Sequence, residues 1–237
     1  MIKIADVSKS FGKLKALDSI NLELNKGECI ALIGPNGSGK TTLLKCILGM
    51  VFPDKGQIFF NDSDILKDWR YRSFVGYMPQ IGRYPDNMSI GQLISMIRDI
   101  RQNENPDQDN ELFNFFEIES ILNKRMRNLS GGTRQKVSAS LAFMFNAQVI
   151  ILDEPTAGLD PVATEILKSK IHKEKNAGKL ILLTSHILSD LDDLVTQIIY
   201  MQDGKLKFHK SIAILKADTG EEKLSKAIAS LMIKNSL

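Results

Sequence analysis

Cysteine is scarce in this sequence, because only Cys29 and Cys46 occur among its 237 residues. Each lies inside an apolar stretch, and the two do not form the closely spaced pair that is typical of a zinc site. A framework of disulfide bonds is excluded by so low a count. We therefore expect buried free thiols in a reducing compartment, with neither disulfide bonds nor zinc.

Long hydrophobic runs and an excess of one charge are also missing. The chain has no stretch of about 20 apolar residues, and residues 1–6 lack the charged-then-apolar order of a secretion signal. The 31 basic and 28 acidic side chains leave a net charge of +3, with both signs interleaved, unlike the clustered positive charge of a dedicated nucleic-acid binder. We therefore expect no nucleic-acid partner, and a cytoplasmic protein that reaches a membrane only if a partner holds it there.

The composition itself is that of an ordinary globular chain, since 43% of the residues are hydrophobic and 25% are charged. Apolar and polar residues alternate, as in half-buried strands, at 2–7 and 20–24. Continuously apolar runs, typical of strands buried on both faces, occur at 29–33, 149–152 and 180–183. Helical patterns separate these runs, so the sequence predicts an α/β fold with a mostly parallel sheet covered by helices.

Helical periodicity alone fills the middle of the chain. It predicts helices over 89–101, 110–123 and 131–146, with a polar connector at 103–109, and this looks like a helical insertion. After it we expect a helix at 162–176 and a closing hairpin of 198–201 with 205–208, joined through Asp203 and Gly204. From about residue 211 the chain is amphipathic, and we expect a helical tail that packs back on the preceding domain.

The strongest chemical signal follows the apolar run 29–33 and opens a helix. It is a full match to the pattern G-x-x-x-x-G-K-[ST], made by Gly34, Pro35, Asn36, Gly37, Ser38, Gly39, Lys40 and Thr41, with Thr42 beside it. Glycines let backbone N–H groups curl around a diphosphate, Lys40 reaches the β- and γ-phosphates, and the Thr41 hydroxyl can bind Mg²⁺. A tight turn without a ligand is the alternative, but a turn alone does not require Lys followed by Thr.

Two carboxylates, Asp153 and Glu154, follow the apolar run 149–152. Open α/β sheets bind ligands outside the carboxyl ends of their strands, which is where this pair is expected. Asp153 can orient the Mg²⁺ shell, and Glu154 can act as a general base that accepts a proton from water. Asp-Glu after a strand is otherwise most often a helix N-cap, but a phosphate loop in the same chain favours the catalytic interpretation.

A second candidate anion site begins the predicted helix 131–146. Ser130, Gly131 and Gly132 offer a hydroxyl, two unobstructed backbone N–H groups and the positive end of a helix dipole. A small polar N-cap without a ligand is the alternative.

The order of these motifs, followed by Thr184, Ser185 and His186, resembles that of the ATP-binding cassette (ABC) ATPases over roughly residues 2–208. The resemblance implies a P-loop NTPase core, an N-terminal antiparallel β subdomain and an inserted helical subdomain at about 86–147. It divides the chain into an ABC ATPase domain, residues 1–210, and a C-terminal helical tail, residues 211–237. ATP and Mg²⁺ are the implied ligands.

The resemblance also assigns roles to four further residues. Phe11 stands where the family stacks an aromatic ring on adenine, although a core Phe is the alternative. Gln80, otherwise a surface glutamine, matches the glutamine that contacts Mg²⁺ or the attacking water, and His186 matches the histidine that steadies the γ-phosphate. Asp160 matches the loop that meets the opposing subunit, and it can also cap the helix that begins at Pro161. His172 and His209 have no such context, and we expect both to be exposed to solvent.

The signature departs from the common family pattern at Thr133, where Gln is usual, and at Lys136, where Arg is common. Neither change removes Ser130 or the two glycines. Because Glu154 and His186 are both present, the resemblance implies an active ATP hydrolase.

One copy of each motif occurs, so the resemblance implies a head-to-tail pair around two ATP molecules, formed with a second copy of this chain or with a related cassette. Length and the absence of a fused membrane segment favour a chain that serves as the ATP-driven motor of a separate multi-span permease. We expect the permease to hold this chain at the inner face of the cell membrane. Residues 76–80 and 185–191 look most like cassettes of the ABC-2 export type, and residues 130–137 look similar to accessory cassettes for copper handling and nitrous-oxide reductase maturation. We expect the permease to dock in a groove formed by Arg83, Tyr84, Pro85 and helix 89–101.

Two other classes fit the sequence less well. Soluble ABC proteins that act on ribosomes or DNA resemble tandem cassettes or cassettes split by a long coiled coil, and neither feature is present. A P-loop kinase or GTPase would lack the Ser-Gly-Gly signature, and a GTPase would carry the guanine motif Asn-Lys-x-Asp, which is absent from the sequence.

Overall fold

The computed structural model describes residues 1–101, 108–185 and 194–234. It consists of two units, one formed by Met1–Tyr71 with Leu180–Leu237 and the other by Arg72–Lys179. The described residues form ten strands: β1 (Ile2–Phe11), β2 (Leu14–Leu24), β3 (Cys29–Ile33), β4 (Lys55–Phe60), β5 (Ser63–Asp64), β6 (Val75–Met78), β7 (Val149–Asp153), β8 (Leu180–Thr184), β9 (Gln197–Gln202) and β10 (Lys205–Ser211). They also form seven α-helices: α1 (Lys40–Ile47), α2 (Ile90–Arg101), α3 (Glu111–Phe115), α4 (Gly131–Phe143), α5 (Pro161–Asn176), α6 (Ile212–Thr219) and α7 (Leu224–Lys234).

The first unit contains an antiparallel sheet with the strand order β2-β1-β4-β5. Its strands alternate buried and exposed positions, so that Ile2 and Ile4 face the core while Lys3 between them faces solvent. One polar face and one apolar face are what an antiparallel sheet exposed on one side requires. The N-terminal antiparallel β subdomain is therefore confirmed.

The same unit also contains parallel strands, in the order β10-β9-β3-β8. Strand β3 pairs in parallel with both β8 and β9, while β9 and β10 form the closing hairpin. Every residue of β3 and β8 is buried, as the continuous apolar runs predict. The helix α1 follows β3 directly, with the phosphate loop between them.

The second unit pairs β6 with β7 in parallel, from Val75 opposite Val149 to Met78 opposite Leu152. Helix α4 lies close to β6, as the position of Gly76 shows. A Cβ atom at Gly76 would lie 2.1 Å from the carbonyl oxygen of Ala142. The mostly parallel α/β class predicted from the sequence is confirmed.

Two helices of this unit are shorter than the sequence predicts. The helix predicted at 110–123 ends at Phe115, since Glu117 adopts a left-handed backbone with φ of 52°, and a 3₁₀ turn over Ile118–Ile121 replaces the remainder. The helix predicted at 131–146 ends at Phe143, and Asn146 is again left-handed, with φ of 49°. A left-handed residue cannot continue a right-handed helix, and the apolar periodicity does not reveal it. The predicted connector 103–109 lies mostly outside the described residues.

The C-terminal segment is helical, as predicted, but it forms two helices. Gly220, with φ of 70°, ends α6 as a left-handed cap before α7 begins. Leu215 of α6 and Leu224 and Ile228 of α7 are buried, so the segment packs against its own unit.

Candidate functional site

The phosphate loop, residues 34–39, joins buried strand β3 to helix α1. A Cβ atom at Gly34 would lie 2.0 Å from the carbonyl oxygen of Met201, and one at Gly39 would lie 2.4 Å from that of Ala16. Both glycines also have positive φ, 147° and 101°. Steric contact and backbone conformation thus both require glycine at these positions, and Pro35, Asn36 and Gly37 between them are exposed.

Lys40 folds back over this loop. Its Nζ donates to the carbonyl oxygen of Gly34 at 2.8 Å and to that of Pro35 at 2.9 Å, and it lies 3.5 Å from Oγ of Ser38. Ser38 is buried, whereas Thr41 in the first turn of α1 is exposed and Thr42 is half-buried. An ammonium group, the first N–H groups of a helix and hydroxyl groups are a donor set that suits phosphate oxygens.

Phe11 ends β1 with 51% of its surface exposed, and Nζ of Lys9 lies 5.6 Å from the centre of its ring. The alternative that Phe11 is a core residue is therefore wrong. Its exposed ring is open to stacking, and the adenine contact stays a prediction.

Gln80 and Glu154 come together in the second unit, just beyond the carboxyl ends of the paired strands β6 and β7. Nε2 of Gln80 donates to Oε2 of Glu154 at 2.8 Å. Glu154 has a left-handed backbone, with φ of 52°, a costly conformation that points to local constraint in a residue other than Gly. The carboxylate that the sequence predicts as a general base is thus held by the amide of Gln80, for which the resemblance implies a contact with Mg²⁺ or the attacking water.

Asp153 ends β7 and is only 5% exposed. Burial, followed by the charge of Asp153 and the nearby Tyr84, raises the pKa of Tyr77 to about 12. Tyr77 therefore stays a neutral phenol at physiological pH, beside the carboxylate that the sequence predicts as a Mg²⁺ ligand.

The signature residues begin α4. Ser130 is its N-cap, and its Oγ accepts a hydrogen bond from the backbone N–H of Thr133 at 3.2 Å. The Thr133 hydroxyl also lies 2.9 Å from Oγ of Ser130, so the departure at this position adds a contact to the capping serine. The N-cap is confirmed, and a Cβ atom at Gly131 would meet open space.

Asp160 caps the next helix, α5. Its Oδ1 accepts from the backbone N–H of Ala163 at 2.9 Å, and its Oδ2 lies 2.7 Å from Nζ of Lys136. The hydrogen bond from Lys136 and then that from Ala163 lower the pKa of this carboxyl. The predicted N-cap is confirmed, and the contact with an opposing subunit stays a prediction.

Two polar side chains of this region, Gln135 and Ser138, escaped the sequence analysis. Gln135 is 5% exposed, and its Nε2 lies 3.5 Å from the carbonyl oxygen of Glu154. The hydroxyl of Tyr84 donates a hydrogen bond to Oγ of Ser138 at 2.9 Å. No local pattern marks a buried glutamine or serine in a helix, because only tertiary contacts decide their burial.

Two expectations about histidines have different outcomes. His186 lies outside the described residues. The expected solvent exposure of His172 and His209 is wrong, since both are half-buried and Nε2 of His209 is fully buried without a hydrogen-bond partner in the described structure. Strand β10 turns His209 toward β1 and β2, beside a small cavity that it lines with Lys3 and Asn21.

A larger cavity, of about 1040 Å³, lies in the second unit between α2 and the segment 110–123. Ser89, Gln92, Met96 and Arg98 line its α2 side. The expected groove included residues 83–85, but they do not line this cavity. Only the helical part of the predicted groove therefore coincides with it.

None of the described helices combines the length and the apolar character needed to cross a bilayer. Within residues 1–101, 108–185 and 194–234, no three His, Cys, Asp or Glu side chains are grouped so that they could hold a metal ion by themselves.

Comparison with known proteins gives concordant results. The sequence model of the family described as ABC transporter matches residues 17–157. The chain is 30% identical over 243 residues to the xylose/arabinose import ATP-binding protein of Sulfolobus acidocaldarius, covering 98% of this chain and 95% of that protein. It is also 30% identical to the Nod factor export ATP-binding protein I of Rhizobium etli, covering 86% and 66%.

Among solved structures, one described as the ATP binding subunit of an ABC transporter superposes with a TM-score of 0.90. The sequences are 25% identical, and the match covers 98% of this chain and 99% of the other.

Proposed function

Because the chain belongs to the ABC transporter family of ATPases, we propose that it is the subunit that binds and hydrolyses ATP to drive a separate membrane permease. It is an ATP hydrolase by family, and the proposal concerns its residues, its partners and the direction of transport. The observation that carries the proposal is the hydrogen bond of 2.8 Å between Gln80 and Glu154 at the ends of β6 and β7.

Each part of the site has a defined task in this reaction. Lys40 and the N–H groups at the start of α1 bind the β- and γ-phosphates, with Gly34 to Gly39 curving around them and Thr42 beside them. Glu154 accepts the proton of the attacking water, while Gln80 holds that carboxylate in orientation. Phe11 stacks on the adenine ring, and His186 steadies the γ-phosphate.

The Mg²⁺ ligands are the hydroxyl of Thr41, the carboxylate of Asp153 and the side chain of Gln80. These are hard oxygen donors, which suit Mg²⁺ that is bound together with substrate phosphates. When bound, Mg²⁺ neutralises charge on the phosphate oxygens.

A second cassette completes each site. Ser130 and Gly131 stand at the exposed start of α4 with Gly132, where the helix dipole favours an anion. Since the chain has one such signature, it pairs head to tail around two Mg-ATP, most simply with a second copy of itself, and Asp160 lies at that interface. The motor is then an ABC ATPase domain, 1–210, with its helical subdomain at 86–147, followed by the tail 211–237.

The partner is a multi-span permease that holds the cassette at the inner face of the cell membrane. The cavity along α2 is the docking groove in this proposal. We favour export of the ABC-2 type on the resemblance of residues 76–80 and 185–191, while the relatives named above include both an importer and an exporter.

The test uses a tagged Glu154→Gln variant, purified from detergent-solubilised cells with Mg-ATP. Removal of the general base is expected to trap the ATP-bound pair together with its permease. A Glu154→Gln, Lys40→Ala variant, which lacks the phosphate-binding ammonium, is the control and should recover no ATP-dependent partner. Recovery of ribosomes or nucleic acid in place of a membrane protein would overturn the transporter assignment.

A further inference from the structure

The signature helix α4 contacts one short segment at three successive points. This segment, residues 154–160, joins β7 to α5, and we name it the catalytic loop because it begins with Glu154. Gln135 reaches the carbonyl oxygen of Glu154 at 3.5 Å, and Nζ of Lys136 reaches Asp160 at 2.7 Å. Between these ends, a Cβ atom at Gly132 would lie 2.9 Å from the carbonyl oxygen of Gly158.

The backbone of the catalytic loop forms hydrogen bonds within the loop itself. The described structure gives one from Ala157 N–H to the carbonyl oxygen of Glu154 at 3.1 Å and one from Leu159 N–H to that of Thr156 at 3.2 Å. Glu154 is left-handed, and such a conformation persists only where its surroundings hold it. The amide of Gln135 meets the carbonyl oxygen of this strained residue, so α4 supplies part of that constraint.

The contacts made by Gln135 and Lys136 contribute little to the free energy of unfolding. The side chains of Lys136 and Asp160 are 28% and 51% exposed, and ion pairs of this exposure contribute little to folding. The distance of 3.5 Å at Gln135 is near the limit of a hydrogen bond. These two contacts are distinguished by where they lie. Two adjacent residues of α4, Gln135 and Lys136, contact the two ends of the catalytic loop.

We infer that Gln135 and Lys136 are positioning residues that fasten the catalytic loop to the signature helix, so that Glu154 and Asp160 move with α4. This inference rests on the proposed function, in which the start of α4 binds the ATP of a second subunit. When α4 binds the ATP that is held by the second subunit, it then sets the position of Glu154, the general base for the ATP that is held by the phosphate loop of its own subunit. The two hydrolysis sites are thereby linked through each chain as well as across the pair.

Hydrogen exchange of the full-length chain without nucleotide tests the attachment directly. Gln135→Met and Lys136→Met remove the polar groups and retain side-chain length, and each should raise amide exchange within residues 155–160 about two- to fivefold, the range expected for weak contacts. Lys136→Arg should restore protection. Lys168→Met is the matched control, since Lys168 forms a partly exposed ion pair within α5, with Glu165 at 3.2 Å.

Asp160→Asn separates the ion pair from the helix cap, because asparagine caps as well as aspartate does. The double variant Lys136→Met, Asp160→Asn should exchange no faster than either single variant. Additive effects would show that the two side chains act separately and would overturn the inference, as would unchanged exchange in the loop or an equal rise throughout residues 72–179.

Steady-state ATP hydrolysis gives the functional readout. Lys136→Met and Gln135→Met should lower kcat at least about fivefold and change KM for ATP less than about twofold, as expected when an interaction positions the base without binding substrate. In the Glu154→Gln background, Lys136→Met should retain ATP-dependent pairing. Loss of pairing would overturn the inference. A wild-type chain that fails to bind ATP would instead overturn the proposed function and leave the exchange result standing.

Discussion

Lys170 and Lys136 lie in the same unit and both pair with carboxylates, yet their surroundings differ greatly. Lys170 on α5 is 3% exposed and is surrounded by three acids, Asp109, Glu111 at 2.8 Å and Glu174 at 2.6 Å. Among the described residues, Lys136 on α4 pairs with the single carboxylate of Asp160, and both side chains are partly in water. Burial alone would lower the pKa of Lys170, but the three carboxylates outweigh it and raise that pKa.

The comparison teaches that an ion pair's surroundings, and not its distance, decide its task. A buried charge without its partners costs several kcal/mol, so the Lys170 cluster is expected to be permanent. The Lys136 pair contributes little to folding because it is partly in water, which suits a contact that positions a loop without being needed for the fold. The predictions below test this division, in order of the expected change in unfolding free energy.

The largest effect is expected for Lys170→Met. It leaves Glu174, which is 5% exposed, with Lys179 but without Lys170 as an ion-pair partner, and should lower the free energy of unfolding by about 3 kcal/mol. Urea denaturation measures this, with Lys168→Met as a control that should change stability by less than about 1 kcal/mol. A loss below about 1 kcal/mol at Lys170 would remove the distinction between the two pairs.

Acid should weaken the same cluster. Hydrogen bonds from Lys170 and then Lys173 hold the pKa of Glu111 below its ordinary value. A carboxyl whose pKa is lowered by folding contributes stability above its unfolded pKa, and that contribution is lost as the pH falls through the folded value. The difference between wild type and Lys170→Met should therefore shrink between pH 7 and about pH 3. A difference that stays constant over this range would contradict the ionic explanation.

His209 has one buried ring nitrogen, Nε2, that forms no hydrogen bond to any described residue. Burial lowers its pKa, an effect that the charge of Glu28 opposes. Because the folded state disfavours the protonated ring, stability should be full above the unfolded pKa of about 6.5 and should decline as the pH falls below it. His209→Gln should lose this slope between pH 7 and about pH 5.5 in thermal unfolding. If His209→Gln leaves this pH dependence of stability unchanged, other titrating groups must cause it.

The smallest effect on stability is expected at Lys136. Lys136→Met should change the free energy of unfolding by at most about 1 kcal/mol, even though we expect it to lower ATP turnover. Urea denaturation at pH 7 checks this against Lys170→Met. A loss above about 2 kcal/mol would make Lys136 a structural residue like Lys170.

Local patterns predicted the parts of the fold that local chemistry determines. Helix α5 was predicted at 162–176 and occupies Pro161–Asn176, because Asp160 and Pro161 mark its start and the pattern ends near Gly178. The break at Glu117 was not predictable, since an apolar face continues across it and only the observed φ of 52° reveals the turn.

The candidate site shows the same division. Gln80, Ser130, Glu154 and Asp160 were found from the sequence because phosphate and proton chemistry restrict the residue types at those positions. Gln135 was missed because its importance arises from burial against Glu154. The acids around Lys170 were missed for a similar reason, as Asp109 and Glu111 approach it only after the chain has folded.

The first unit is assembled from the two ends of the sequence, and this order has a consequence during protein synthesis. Strand β3 ends at Ile33, but its parallel neighbours β8 and β9 begin only at Leu180 and Gln197. A ribosome that adds about 5–20 residues per second leaves β3 without these neighbours for on the order of ten seconds. The continuous segment Arg72–Lys179 emerges during this interval. The nascent chain therefore presents an unpaired apolar strand, and chaperones have a defined period in which to protect it.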